Sequence, residues 1–136
     1  MRNLRITMIL YGAIQIAEGF VMWLLSSNIP SYLGYDKPFL STDASNIIAY
    51  VAVIAGAAFI VGGCLFIMGS FSNPWRNPTP VRLAILWSAL MLTGQIYTLT
   101  KGYVEFKHTW ASLIITLIFL IALIIFYPWP FNRRSR

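Results

Sequence analysis

The 136-residue sequence is short of charge before anything else: only 10% of its residues are Asp, Glu, Lys or Arg, against 58% that are hydrophobic. A soluble domain carries about a quarter charged residues. So thin a charged surface cannot be solvated by water alone, which implies that lipid covers much of this chain. Acidic residues are scarcest, with Glu18, Asp36, Asp43 and Glu105 making the whole set. There is one cysteine, Cys64, inside an apolar run, which excludes an internal disulfide and a thiolate zinc site. There is one histidine, His108, which excludes a His pair for haem; it reads as a loop residue. No phosphate-cradling glycine loop, metal-ligand cluster or nucleophile–base pair is present. The chain is therefore expected not to be an enzyme, to carry no cofactor or metal, and to have no room for a separate soluble catalytic module.

What is abundant is long apolar sequence. Four runs, at about 6–25, 46–68, 81–100 and 109–127, each have the length needed to cross a hydrocarbon core. Backbone polar groups cannot stay unpaired in lipid, so these runs predict helices. The expected fold is all-α, an integral membrane four-helix bundle forming one domain, with a long loop at 26–45. Thr79 and Thr109 are candidate caps for the third and fourth helices. Pro128 and Pro130 would stop the fourth helix, and Asn73-Pro74 with Asn77-Pro78 would break helix between the second and third. Met1-Arg2-Asn3-Leu4-Arg5 resembles the start of a signal peptide. The polar Gln15 and Glu18 inside the run, with no small-x-small cleavage site after it, favour a retained helix.

The net charge of +6 is distributed by side-chain type. With the N-terminus inside, Arg2, Arg5, Arg76, Arg82, Arg133, Arg134 and Arg136 fall on the inner side, and Lys37, Lys101 and Lys107 on the outer. That bias predicts both termini in the cytoplasm of an inner-membrane, multi-pass protein whose basic residues meet anionic lipid rather than nucleic acid. Trp23, Tyr103, Phe106 and Trp110 would ring one interface, and Trp75, Tyr127, Trp129 and Phe131 the other. The aromatic and aliphatic content of the long loop (Pro30, Tyr32, Leu33, Tyr35, Phe39) suggests that it lies on the membrane or folds over the bundle as a lid.

Glu18 is the one acidic residue within a run. A carboxylate at the centre of a span costs about 2.5–3.5 kcal/mol on insertion scales, so it is expected to face the bundle interior. At 100° per residue Tyr11, Gln15, Glu18 and Met22 form one stripe, flanked by Gly12 and Gly19. Ser88, Met91, Gln95 and Thr98 form a second stripe on the third run. Counting rises of 1.5 Å puts Glu18 roughly 18 Å and Gln95 roughly 21 Å from the starts of their runs, at one level, with room beside Gly56. The candidate ligand- or proton-binding residues are thus Glu18, Gln15, Gln95, Tyr11 and Thr98. Two readings stay open: Glu18 bonds Gln95 and holds the helices in register, or it binds a proton, a cation or a polar headgroup. Lys101 is an alternative partner for it.

Gly12 with Glu18-Gly19, a long first loop with Pro30 and Leu33-Gly34, Ala55-Gly56-Ala57, Gly62-Gly63 and Arg82 together resemble the DoxX-like small bacterial membrane proteins. The likeness covers nearly the whole chain. It implies a four-helix membrane fold and, since some members serve as accessory parts of membrane oxidoreductase systems, a place in a larger membrane complex. Tyr11-Gly12-Ala13-Ile14 and Ala17-Glu18 also resemble the segment around the helix-1 glutamate of small multidrug resistance transporters, with Trp87-Ser88 similar to their aromatic wall. That likeness implies proton-coupled export by a homodimer, with Glu18 exchanging protons for cations. The loop at 26–45 and the lack of a glycine dimerisation pattern in the fourth run depart from it. The run from Leu113 to Phe126 is almost purely Ile, Leu and Phe, as suits a face against lipid or a partner helix.

Overall fold

The computed structural model describes residues 2–35 and 42–127. Helix α1 (Arg2–Leu24) is followed by a 3-10 turn (Ser26–Asn28) and a short helix α2 (Ile29–Tyr32); then come α3 (Thr42–Ser70), α4 (Thr79–Thr100) and α5 (Phe106–Phe126). No strand occurs among the described residues. Helices α1, α3, α4 and α5 are long and apolar enough to cross a membrane. They stand in an up-and-down ring, α1 against α3, α3 against α4, α4 against α5 and α5 against α1. Arg2, the α3–α4 turn and Tyr127 mark one end, called the basic end below. The 3-10 turn, α2 and the α4–α5 turn mark the other, the loop end.

Helix ends differ from the hydropathy boundaries in an orderly way. Helix α1 starts at Arg2 and α3 at Thr42, four residues before each apolar run begins. Backbone hydrogen bonding continues past the point where side chains turn polar. Neither threonine caps its helix. Thr79 is already inside α4, behind Pro78, and its N–H donates to Asn77 Oδ1 at 3.3 Å. Thr109 lies within α5, whose first turn starts three residues earlier behind Glu105. Pro128 and Pro130, Trp129 and Phe131, Arg133, Arg134 and Arg136, and Asp36, Lys37 and Phe39 lie outside the described residues. Arg82, expected to reach headgroups, donates from Nε to the Tyr127 hydroxyl at 2.8 Å and so joins the start of α4 to the end of α5.

The most extensive contact is between α1 and α3. On α3 the buried residues Ala52, Gly56, Phe59, Gly63, Phe66 and Ser70 alternate steps of four and three, the seam of a coiled-coil pair. Two of its positions meet glycines of α1. A methyl group on Gly63 would sit 2.5 Å from the Gly12 carbonyl oxygen, and one on Gly12 would sit 2.6 Å from that of Gly63. Gly19 and Gly56 repeat the arrangement one heptad away, at 2.5 and 2.7 Å. Only hydrogen at these four Cα atoms lets the backbones approach so closely, the close packing that small residues allow between helices. The expected space beside Gly56 is therefore filled by α1 itself.

Packing is uneven along the bundle axis. Leu4, Met8, Tyr11, Phe66, Val81, Ala84 and Leu123 form one buried cluster in the basic half. Tyr11 is its centre, stacked on Phe66 (centroids 5.5 Å apart) and on Phe119 (4.9 Å). Toward the loop end this changes. Helix α4 has no buried residue beyond Ser88, and α5 none before Thr116. The two helix pairs are thus sealed together below and loosely joined above.

The loop after α1 is partly ordered against the loop end. Pro30 is fully buried, and α2 packs on α3. Gly34, at φ +92°, turns the chain beside His108, and the Tyr35 hydroxyl donates to the Tyr103 carbonyl. The first loop therefore reaches across to the α4–α5 turn.

Candidate functional site

The inward stripe of α1 meets α4 through one side chain. Trp87 stands edge-on to Phe59 and Phe66 and lies over Gly62. Held so, its Nε1–H donates to Gln15 Oε1 at 2.8 Å. The other end of the same amide, Gln15 Nε2, donates to Glu18 Oε2 at 3.0 Å. Gln15 is 3% exposed, so each end of its amide needs a protein partner, and each has one. The result is a directed line of two bonds, indole to amide to carboxylate. It fixes the Glu18 rotamer without any cation: no described basic residue forms an ion pair with Glu18.

Glu18 Oε1 behaves differently. It takes no hydrogen bond from a described residue and is not sealed from its surroundings. Glu18 lies one helical turn past Gln15 toward the loop end, about 4.5 Å along the axis. Gly63 lies opposite Gly12 and Gly62 opposite Trp87, which puts Glu18 beyond Ser88, the last buried residue of α4, toward the loop end. The carboxylate is at the floor of the loosely packed half, with one oxygen held and one available.

Tyr11 lies on the basic side of this line. Its hydroxyl is buried beside Ser88, whose own proton goes to the Ala84 carbonyl at 2.8 Å, and it has no hydrogen-bond partner among the described residues. Gln95 sits elsewhere. Its Nε2 donates to Ser112 Oγ at 2.8 Å, and its Oε1 is buried without a partner among the described residues. The bond expected between Glu18 and Gln95 is not formed. The reason is direction: the Gln95 amide is turned toward Ser112 on α5, and α1 and α4 are not neighbours in the ring. Thr98 uses its hydroxyl on the Gln95 carbonyl of its own helix at 2.8 Å. Lys101 lies 5.7 Å over the Tyr97 ring instead of pairing with Glu18.

Two residues that complete the arrangement were not among the sequence candidates. Trp87 is the donor to the α1 line, and Ser112 is the partner of Gln95. Both left a signal: an indole N–H inside an apolar run needs an acceptor, and Thr109, Ser112 and Thr116 fall on one face of the fourth run. Among the described residues no group of His, Cys, Asp and Glu is arranged to hold a metal ion. In comparison with known proteins, no family model matches this chain, and neither does any curated protein or solved structure.

Proposed function

We propose that this chain is a non-enzymatic, multi-pass inner-membrane protein, an accessory or ligand-binding subunit, whose Glu18 engages the polar head of a lipid-like or quinone-like amphiphile. The observation that carries the reading is the Trp87–Gln15–Glu18 line, with its free oxygen at the floor of the open half. A carboxyl group there can accept from a donor head or, protonated, donate to a carbonyl. A carboxylate kept in a span without a basic partner is expensive unless it is used. The stretch of α5 from Leu113 to Phe126, almost purely Ile, Leu and Phe, suits lipid or a partner's helix, in keeping with the DoxX-like plan.

A second reading, a proton-coupled transporter acting as a dimer, draws on the same absence of a cation at Glu18, which leaves the group free to exchange protons for cationic substrate. Purification from native membranes in mild detergent, followed by native mass spectrometry, separates the two. The subunit reading expects a stable complex with larger membrane proteins or a retained small molecule. A bare homodimer with neither would overturn it and leave the transporter.

A further inference from the structure

A cleft of about 360 Å³ opens at the basic end between the start of α1 and the α3–α4 turn. Arg2 and Arg5 lie along its wall with Asn73, while Leu4, Met8 and Val81 form the deeper, apolar part. None of the residues lining it is acidic. Arg2 has no partner among the described residues, and Arg5 is steadied by the Phe71 ring, its guanidinium 4.4 Å from the centroid. Asn73 uses its Oδ1 on the Trp75 N–H at 3.0 Å, which leaves its amide hydrogens to donate.

We infer that this cleft is a binding site for the phosphate headgroup of an anionic lipid, separate from the Glu18 site. Two guanidinium groups one helical turn apart, with no carboxylate of a described residue to compensate them, match the charge and fork geometry of a phosphate. The apolar floor favours a lipid over a free phosphate: Leu4, Met8 and Val81 give the first methylenes of an acyl chain a dry surface, which inorganic phosphate cannot use. The position agrees as well, since the cleft lies at the ends of span-length helices, at the depth where headgroups sit.

The test uses the full chain in detergent micelles, with phosphatidylglycerol, phosphatidylcholine and inorganic phosphate as probes and native mass spectrometry as the readout. Wild-type protein should retain phosphatidylglycerol in preference to phosphatidylcholine, and the Arg2→Gln/Arg5→Gln double variant should retain it about ten-fold or more weakly. That magnitude follows from about 1 kcal/mol for each basic residue at an anionic surface. Arg76→Gln, outside the cleft, should leave retention unchanged. Arg2→Glu, at a side chain with no hydrogen bond or ion pair among the described residues, carries the test if the double variant does not fold. Equal retention by wild type and the Arg2 and Arg5 variants, or an equal loss with Arg76→Gln, would overturn the site in favour of diffuse surface charge. Displacement of the lipid by equimolar inorganic phosphate would overturn the lipid as its occupant.

Discussion

The indole nitrogen of Trp87 and the amide oxygen of Gln15 are 2.8 Å apart although 72 residues separate them in the chain. This bond ties α4 to the inward face of α1 and, through the amide, orients Glu18. The two residues should therefore be energetically coupled. Gln15→Leu and Trp87→Phe are each expected to destabilise the protein by about 1 kcal/mol, the usual size for an interhelical bond in a membrane. The double variant should lose less than the sum. Reversible unfolding in mixed micelles checks this, and strict additivity would mean the bond does not form.

The glycine contacts make a sharper contrast. Gly63→Ala places a methyl 2.5 Å from the Gly12 carbonyl oxygen, and only a shift of α1 can relieve it. A cost of about 1–3 kcal/mol is expected from overpacking of this kind. Gly94 has nothing within 4 Å of the same position, so Gly94→Ala should be neutral or stabilise α4 by up to about 1 kcal/mol. The same unfolding assay measures both, and equal effects would contradict the glycine seam.

At the loop end, Tyr35→Phe removes the donor to the Tyr103 carbonyl. Loss of one hydrogen bond of about 1 kcal/mol should raise the opening of the first loop roughly five-fold. Limited proteolysis around residues 26–35 should accelerate accordingly, with cleavage elsewhere unchanged. An unchanged rate would mean that the loop is held by other contacts.

One titration is set by a surface pair. Lys107 donates to Glu105 at 2.5 Å, and that bond, reinforced by the ammonium charge, holds the Glu105 carboxyl below the usual carboxylate range. A lowered value means that the pair's contribution is present above the ordinary glutamate range and is lost as pH falls through the lowered one. Both side chains are largely exposed, so the contribution to stability is small. Lys107→Gln should move the carboxyl titration upward, followed by carbon-13 NMR, with thermal stability nearly unchanged.

Much of this was legible in the sequence because the causes are local. Run length gave the four span-length helices, and 100° periodicity put Tyr11, Gln15 and Glu18 on one inward stripe. Gly12 and Gly19 already marked where a neighbouring helix comes close, whereas Gly56, read as leaving room, is where α1 fills that space. Which neighbour a helix face meets is not local. Hydropathy marks where a helix is apolar and not where it begins. Aligning the apolar runs by their starts paired Gln95 with Glu18, whereas the Gln95 amide turns to Ser112 on α5 and the bond to α1 comes from Trp87, named only for its likeness to an aromatic wall. Caps failed for a related reason, since α5 begins before Thr109 and Asn77 does the work assigned to the Thr79 hydroxyl. The short α2 is too brief to leave a periodic signal.

The most direct test of the central claim is mass spectrometry of the organic extract from protein purified out of native membranes, comparing wild type, Glu18→Ala and the Arg2→Gln/Arg5→Gln variant. The account predicts a small amphiphile retained by wild type and by the arginine variant and lost from folded Glu18→Ala. The same amphiphile retained at the wild-type level in Glu18→Ala would contradict it.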